Sequence, residues 1–301
     1  MNKMIMLVGL LIAIMSVSAF GAGFLGPPTA ELEKGQWKVG YNYTYIDMDL
    51  EETKTKGKIF GDVETQNLLR DLLENVNINV PMTFRDKFKI EDVKTQRHYA
   101  TIGYGVEDWW EVYLQLGFAD VKMKTKSEDE NVWDSYNFDS DFAWGLGTRI
   151  TFYEQNNIRW GTSVQMNWLD TSYDDKKSWG AETVGAENWS DLTWKEQLDL
   201  ETYDLLIAVG PTVDMGGWKL YGGPFYYYLS GDIDIKGNIT GTLLGTLYTA
   251  GVEQSGDLKA DSNFGGFVGA QFPLTGNCDM TTELSFTGDA LALGFGIGWK
   301  F

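Results

Sequence analysis

Large apolar residues alternate with small or polar residues along much of this chain of 301 residues. The final segment, LALGFGIGWKF, shows the pattern most clearly. Every second residue from Leu291 to Phe301 is large and apolar, and alanine, glycine or Lys300 fills the places between. Because successive residues of a strand point to opposite faces, this period of two predicts a β-strand with one apolar and one nearly bare face. An apolar stripe that reaches an aromatic terminus predicts apolar surroundings outside the strand.

About ten segments share this alternation, and each is close to the 9 to 11 residues that a tilted strand needs to cross a bilayer. Short connections near residues 106–108, 154–157, 215–217 and 275–277 alternate with long polar stretches at 49–95, 125–138, 172–199 and 232–257, and a brief last loop lies near Gly288 and Asp289. The pattern predicts an all-β fold: a closed, antiparallel, up-and-down transmembrane β-barrel with short periplasmic turns. Eight or twelve strands are the alternatives, because residues 80–100 and 236–260 can be counted differently.

Aromatic residues collect at the ends of the predicted strands that lie beside the short turns. This set comprises Trp37, Trp110, Phe152, Trp160, Trp218, Phe272, Trp299 and Phe301. Aromatic rings concentrate at the membrane–water boundary, so the set predicts a periplasmic girdle. A soluble β-sandwich or lipocalin-like barrel alternates just as regularly with its apolar face inward, and periodicity alone leaves that alternative open.

The N-terminal stretch MNKMIMLVGLLIAIMSVSAFGAG has a lysine near its start, an apolar core and then small residues. This order predicts a secretory signal peptide over residues 1–22, with cleavage after Ala19 or Ala22. A retained membrane helix is the alternative, because the apolar run approaches spanning length. The remaining chain divides into a short periplasmic lead-in over residues 23–35 and the barrel over residues 36–301.

The leader, the alternating strands, the segment GYGVEDWWEVYLQLG and the terminal Phe301 resemble bacterial outer-membrane β-barrel proteins of the porin-like class. No motif of a subfamily stands out. The resemblance implies a Gram-negative outer-membrane location, with outer-membrane lipids and the barrel-assembly machinery as partners. It also implies that Trp299 and Phe301 belong to the signal that this machinery reads.

Charge and cysteine content exclude several other classes. The formal net charge is −19, which argues against nucleic acid as a partner because such binding needs a basic patch. Cys278 is the single cysteine, so neither an intrachain disulfide nor a thiolate zinc site can form. We expect no cofactor.

His98 is the one histidine, and it lies in phase with Ala100 and Ile102 on the predicted lipid-facing side of its strand. A general base has to reach its substrate, so this position predicts no catalytic residue and a protein that is not an enzyme. Acidic stretches at residues 47–52, 127–134, 170–175 and 231–238 are solvated loops or bind divalent cations. The last one is not an EF-hand, because Lys236 and Leu243 occupy ligand positions.

Polar residues on the faces opposite the apolar stripes are candidates for the lumen: Glu111, Gln115, Arg149, Arg159, Gln165, Asn167, Gln271, Glu283 and Lys300. Buried charges of both signs should pair, because an unpaired one is costly. They predict either a salt-bridged, plugged interior or a thin polar pore whose groups set ion selectivity.

Leucines at helical spacing also predict a short helix near residues 65–76 in the first outer loop.

Two functions follow from these patterns. The first is a porin-like or structural barrel that passes small solutes, with cations favoured by the acidic loops. The alternative is a closed barrel whose acidic outer loops bind a partner, a surface or divalent cations. A hydrolase in the barrel wall is the least favoured.

Overall fold

The computed structural model describes residues 23–50, 53–61, 83–127, 134–178, 182–184, 187–243, 246–260 and 263–301. The strands among these residues form one antiparallel sheet. Within the described ranges, no helix is long and apolar enough to span a membrane. The predicted signal peptide and the predicted helix near residues 65–76 lie outside them.

Fourteen strands make up the described sheet. They are β1 (Trp37–Met48), β2 (Thr53–Gly61), β3 (Thr83–Glu107), β4 (Trp110–Ser127), β5 (Asp134–Asn137), β6 (Asp141–Gln155), β7 (Ile158–Ser178), β8 (Glu182–Val184), β9 (Glu187–Asp214), β10 (Lys219–Leu243), β11 (Thr246–Lys259), β12 (Phe264–Pro273), β13 (Cys278–Phe286) and β14 (Ala290–Lys300).

Ten of these strands close into a ring in the order β1, β3, β4, β6, β7, β9, β10, β12, β13, β14. One side of β1 pairs with β14, from Lys38 opposite Lys300 to Met48 opposite Ala290. The other side of β1 pairs with β3, where Trp37 lies opposite Tyr104. A closed ring leaves no unpaired edge, which is how a sheet satisfies its backbone in lipid. The predicted closed barrel of about ten antiparallel strands is confirmed.

Tight turns join the ring strands at one end of the barrel, where the sequence predicts them. Asn156 adopts a φ of 55° between β6 and β7, and Gly216 adopts a φ of 77° between β9 and β10. Left-handed backbone of this kind is tolerated by asparagine and glycine, which explains these residues at the turns. The brief connection between β13 and β14 lies at the opposite end.

Several strands continue far beyond the membrane. β3 and β10 have 25 residues each and β9 has 28, against the 9 to 11 that a crossing needs. β2 and β11 pair with each other and are inserted between β3 and β10 in this outer extension. The prediction of long loops over 172–199 and 232–257 is therefore wrong for most of both stretches.

The physical reason is a change of solvent along a continuous strand. Inward residues such as Leu198 and Ile233 stay buried and apolar, while outward ones such as Asp232 and Asp234 become exposed and polar. Beyond the bilayer the outer face meets water, so the lipid-facing stripe ends although the strand continues.

The alternation seen in the sequence separates the outside of the ring from its inside. On β14, Phe295 and Ile297 are about half exposed, at 53% and 45%, whereas Ala292 is buried. The terminal Phe301 exchanges two backbone hydrogen bonds with Trp37, which seats it at the periplasmic rim. Trp218 and Phe272 stack at the same rim, with ring centroids 5.8 Å apart.

Glycines on the inner face make room for aromatic side chains of the neighbouring strand. Tyr113 on β4 lies opposite Gly147 on β6, and Tyr221 on β10 lies opposite Gly269 on β12. A Cβ atom at either glycine would overlap the facing tyrosine ring. The bare face predicted from sequence is therefore where interior rings pack against the wall.

Candidate functional site: the barrel interior

Residues 23–36, which we call the plug, run from the periplasmic rim into the lumen. They form no strand, and residues 23–30 are all buried. Pro27 and Pro28 offer no backbone N–H, and Gly26 has a φ of 69°, so regular structure is disfavoured here. Buried backbone groups still need partners, and the wall has to supply them from side chains. The sequence predicts a short periplasmic lead-in over residues 23–35, whereas residues 23–30 lie buried inside the ring.

Glu283 on β13 holds the inner end of the plug. Its two carboxylate oxygens accept the backbone N–H groups of Leu25 and Gly26 at 2.8 and 2.9 Å. Arg149 on β6 donates to the carbonyl oxygen of Leu25 at 2.8 Å and pairs with the carboxylate of Glu111 at 2.5 Å. The predicted lumen residues thus bind a piece of the chain itself.

The middle of the plug is held by the opposite wall. Arg159 on β7 donates to the carbonyl oxygen of Ala30 at 2.8 Å, and the hydroxyl of Thr151 accepts the N–H of Ala30 at 3.0 Å. Thr29 donates its hydroxyl to that of Thr212 at 2.9 Å. Contacts from β6, β7 and β9 therefore hold this stretch across the lumen.

Glu31 lies where the plug meets the periplasmic end, and its side chain is almost fully buried. Its N–H donates to the carboxylate of Glu111 at 2.7 Å. The ammonium groups of Lys38 and Lys219 lie 3.2 and 3.4 Å from its carboxylate, and Lys300 donates to its carbonyl oxygen at 3.3 Å. Burial by itself would raise the pKa of Glu31, but the surrounding lysines hold that pKa well below its ordinary range.

A second polar layer crosses the lumen beyond the plug. Arg97 on β3 pairs with Asp204 on β9 at 2.8 Å, and Asn167 donates to the same carboxylate at 2.6 Å. Gln165 donates to Asn167 at 3.2 Å and accepts the hydroxyl of Tyr113 at 2.9 Å. These groups are buried and hydrogen-bonded to one another, as buried polar groups must be.

The outer half of the interior is predominantly apolar, with buried threonines such as Thr53, Thr55 and Thr171 among the apolar side chains. Buried apolar side chains from ring strands and from the outer extension pack there into one cluster, which includes Ile46, Met48, Leu50, Ile90, Val93, Val121, Met123, Phe138, Leu169, Leu198, Leu200, Leu229, Ile233 and Leu258. The lumen therefore changes from polar at the periplasmic side to apolar at the outer side.

The wall has a weak point between β9 and β10. Their ladder runs from Lys219 to Tyr221, is interrupted over residues 222–224, and resumes at Phe225 opposite Ala208. The interrupted residues face 209–211 of β9, and each stretch contains a proline, Pro211 and Pro224, which has no N–H to donate. We call residues 209–211 and 222–224 the seam. It begins four residues after Trp218, which lies at the periplasmic rim, and the exposed apolar side chains of Val209 and Leu220 lie at it.

The family of the protein follows from this fold together with a direct match. The model of the outer membrane protein beta-barrel domain matches residues 11–159, which reach from the N-terminal part through β6 to the start of β7. The chain is a bacterial outer-membrane β-barrel protein. No curated protein matches its sequence.

Solved structures of similar shape are also outer-membrane barrels. The outer membrane protein OprG from Pseudomonas aeruginosa shares 12% identity over 89% of this chain and 97% of its own, with a TM-score of 0.37. The outer membrane protease OmpT from Escherichia coli shares 10% over 88% and 97%, with a TM-score of 0.35. The transport unit of the autotransporter AIDA-I from Escherichia coli shares 12% over 90% and 91%, with a TM-score of 0.34. These similarities are too low to carry information about activity.

In this outer-membrane barrel, the nine predicted lumen residues all lie on the inner side of the ring. Glu111, Arg149, Arg159, Glu283 and Lys300 contact the plug. Gln165 and Asn167 belong to the second polar layer. Gln115 and Gln271 are buried in the wall, each at 3% exposure.

Further polar residues of the interior are not among the lumen residues predicted from the sequence. They are Glu31, Lys38, Arg97, Asp204, Lys219 and Asp279. The alternation of inward and outward residues along a strand could have identified some of them. Lys38, for example, alternates with the outward Trp37 and Val39, which makes it an inward residue. Nothing in the spacing signals that Glu31 enters the lumen, because its segment has no period.

His98 of the barrel lies on the outer face of β3. Its ring nitrogen is 2.7 Å from the hydroxyl of Tyr41, at an exposed position beside Tyr43. It therefore belongs to the lipid-facing surface and not to the lumen.

The acidic stretches lie mostly on outer strands. Within the described part of the chain, no three histidine, cysteine, aspartate or glutamate side chains come together around a metal position. Residues 51–52 and 128–133, which contain further acids, are outside it. The predicted binding of divalent cations therefore stays a prediction.

Proposed function

We propose that this barrel admits small apolar molecules from the cell exterior and releases them sideways into the bilayer. The division of the lumen carries the proposal, because the outer half is lined by apolar side chains whereas the plug and its ion pairs close the periplasmic half. An apolar solute gains about 25 cal/mol for each Å² of surface that it removes from water. An ion would lose its hydration in the same place.

The seam offers the exit. Behind it lie the buried rings of Tyr221, Phe225 and Phe267, and the ring of Phe267 contacts the other two. In front of it, the exposed side chains of Val209 and Leu220 face the lipid. Parting two strands costs less where ladder hydrogen bonds are already missing, so an apolar solute would cross the wall here at the lowest cost.

The acidic outer surface suggests that cations pass through the barrel. The residues of the interior give this possibility little support. In the periplasmic half, the cationic side chains of Lys38, Arg149, Arg159, Lys219 and Lys300 lie among the carboxylates of Glu31, Glu111, Asp279 and Glu283 and the backbone of the plug. A cation would have to displace the plug and then cross the apolar layer. We therefore narrow the porin-like function to apolar solutes.

A disulfide across the seam tests the proposal. Val209 and Pro224 face each other on the outer side, so a Val209→Cys, Pro224→Cys pair should lock the seam. Uptake of radiolabelled naphthalene by a Gram-negative host should rise on expression of the barrel, fall to background in the oxidised pair and return on reduction. Ile207→Cys with Tyr226→Cys is the matched control, because those residues are already paired in the ladder. Uptake that is unchanged by the oxidised seam pair would refute sideways release.

Planar bilayers provide the second measurement. The wild-type barrel should show no steady ion conductance, since the plug closes the periplasmic half and the apolar lining of the outer half offers an ion no replacement for its hydration. A stable, cation-selective conductance would instead favour the cation pathway.

Binding at the outer surface is a second candidate function. The outer extension favours it, because β9 and β10 carry exposed acids such as Asp232 and Asp234 well outside the bilayer. Calcium titration followed by thermal unfolding tests this candidate, since an ion that binds only the folded barrel raises the unfolding temperature as its concentration increases. A recognition signal formed by Trp299 and Phe301 for the assembly machinery is likewise a proposal, which deletion of Phe301 would test through the yield of folded barrel.

A further inference from the structure

Three lysines converge at the periplasmic mouth of the barrel. Lys38, Lys219 and Lys300 come from β1, β10 and β14, and their ammonium groups surround Glu31 and Asp279. Lys38 lies 2.9 Å from Asp279, and Lys300 lies 3.6 Å from the same carboxylate. Among the described residues, Lys219 has Glu31 as its carboxylate partner, at 3.4 Å. The ammonium groups of Lys219 and Lys300 are thus paired less closely than that of Lys38.

Gln271 provides an independent observation at the same place. It lies directly opposite Lys219 on the neighbouring strand β12. The residue is 3% exposed, yet neither the nitrogen nor the oxygen of its side-chain amide has a hydrogen-bond partner within the described part of the chain. Two unsatisfied buried polar atoms cost free energy, so this position calls for a further hydrogen-bonding partner.

A cleft beside Gln271 has room for that partner. It encloses about 230 Å³, opens toward the periplasm, and is lined by Lys219, Gln271, Asp279, Lys300 and the ring of Trp218, among others. Asp214 also lines it, but one oxygen of that carboxylate accepts the N–H of Gly216 in the adjacent turn. Asp279 is already paired with two lysines.

The chemistry of the lining selects one class of occupant. The ammonium groups of Lys219 and Lys300 and the amide nitrogen of Gln271 are donors, and a carboxylate accepts from all of them. The amide oxygen of Gln271 needs a donor close to that carboxylate, and a backbone N–H meets this need. The plug shows the same recognition within the chain, because Glu31 presents a carboxylate to Lys219 and a backbone oxygen to Lys300.

We propose that this cleft binds the carboxyl terminus of a peptide from the periplasmic side, with Lys219, Lys300 and Gln271 as the binding residues. The site is separate from the path of apolar solutes and does not depend on it. Binding would place the peptide carboxylate near Lys219 and its last N–H against the oxygen of Gln271.

Calorimetric titration of the full-length barrel in detergent tests the site. N-acetyl-alanyl-alanine should bind saturably, and its C-terminal amide and propionate should each bind at least tenfold more weakly, because one lacks the carboxylate and the other lacks the N–H. Lys219→Gln and Gln271→Leu should each weaken binding of the dipeptide at least tenfold. Lys34→Gln is the control, since Lys34 is exposed on the same rim and pairs with Glu107.

A heat-modifiable gel shift establishes that each variant is folded before its titration. No saturable binding of the dipeptide, or binding unchanged in both folded variants, would overturn the site. Propionate or inorganic phosphate that binds as tightly as the dipeptide would overturn the assignment to a peptide and leave a general anion site.

Discussion

Replacing Glu283 by glutamine tests how firmly the plug is held. In the wild type, two oxygens of one carboxylate accept the N–H groups of Leu25 and Gly26. Glutamine keeps one acceptor and presents an N–H₂ group to the other backbone N–H, so one bond is lost and the other weakens. Hydrogen bonds to charged groups contribute about 1.5 to 3 kcal/mol each, so we expect docking of the plug to weaken by about 2 to 3 kcal/mol. At 1.4 kcal/mol for each factor of ten, the undocked population rises roughly 30- to 150-fold.

Hydrogen exchange of the peptide that contains Leu25 and Gly26 measures this population directly. Exchange in Glu283→Gln should accelerate by the same factor, while amides of β13 keep their protection. Glu107→Gln serves as the control, because Glu107 is exposed and contacts Lys34 at the rim. Unchanged exchange of the plug in a folded Glu283→Gln barrel would show that the two hydrogen bonds do not hold it.

Three further predictions concern charge and packing in the interior. The pKa of Glu31 is lower in the folded barrel than its ordinary value of 4.5, so the ionised side chain stabilises the docked plug fully above pH 4.5, and this stabilisation is lost as the pH falls through the lower folded pKa. Hydrogen exchange of the plug should therefore accelerate in acid. Glu31→Gln should remove this dependence on pH. Asp204→Leu leaves Arg97 buried without its partner and should cost about 3 to 5 kcal/mol in urea unfolding from lipid vesicles, most of which Arg97→Leu should recover in the double variant. Gly147→Ala should destabilise the barrel by about 1 to 3 kcal/mol in the same assay through overlap with Tyr113, and combining it with Tyr113→Leu should remove the penalty.

The ring of strands was predictable because lipid and interior impose opposite demands on successive residues. On β14, Phe295 and Ile297 face out, and Gly294 and Gly296 face the plug. The period of two therefore survives in the sequence wherever the outer face meets hydrocarbon. It also identified inward polar residues such as Glu283, although not what they bind.

The outer extension was not predictable by the same reasoning. Along β10, the inward Ile233 and Ile235 alternate with the outward Asp232 and Asp234, so the strand still has a period of two. Its outer face is polar, however, and a polar stretch is the sequence pattern expected of a loop. The inward apolar residues alone keep the period of two through this part of β10 and would have predicted that the strand continues. The identity of each partner strand needs three-dimensional information, because β11 pairs with β2 across nearly two hundred residues of sequence.

The plug shows a different limit. Residues 23–36 contain two adjacent prolines and two left-handed glycines, Gly26 and Gly35, so they carry no period from which a position follows. Their place is set by the wall, where Glu283 and Arg149 supply the hydrogen bonds that a strand neighbour would otherwise provide. Arg149 has hydrogen-bonding capacity left after it pairs with Glu111, and it uses that capacity on the carbonyl oxygen of Leu25. Glu283 uses both carboxylate oxygens on two adjacent backbone N–H groups. Buried charged groups on the inner face of a narrow barrel therefore imply more than ion pairs, because the backbone of an irregular segment can be their partner.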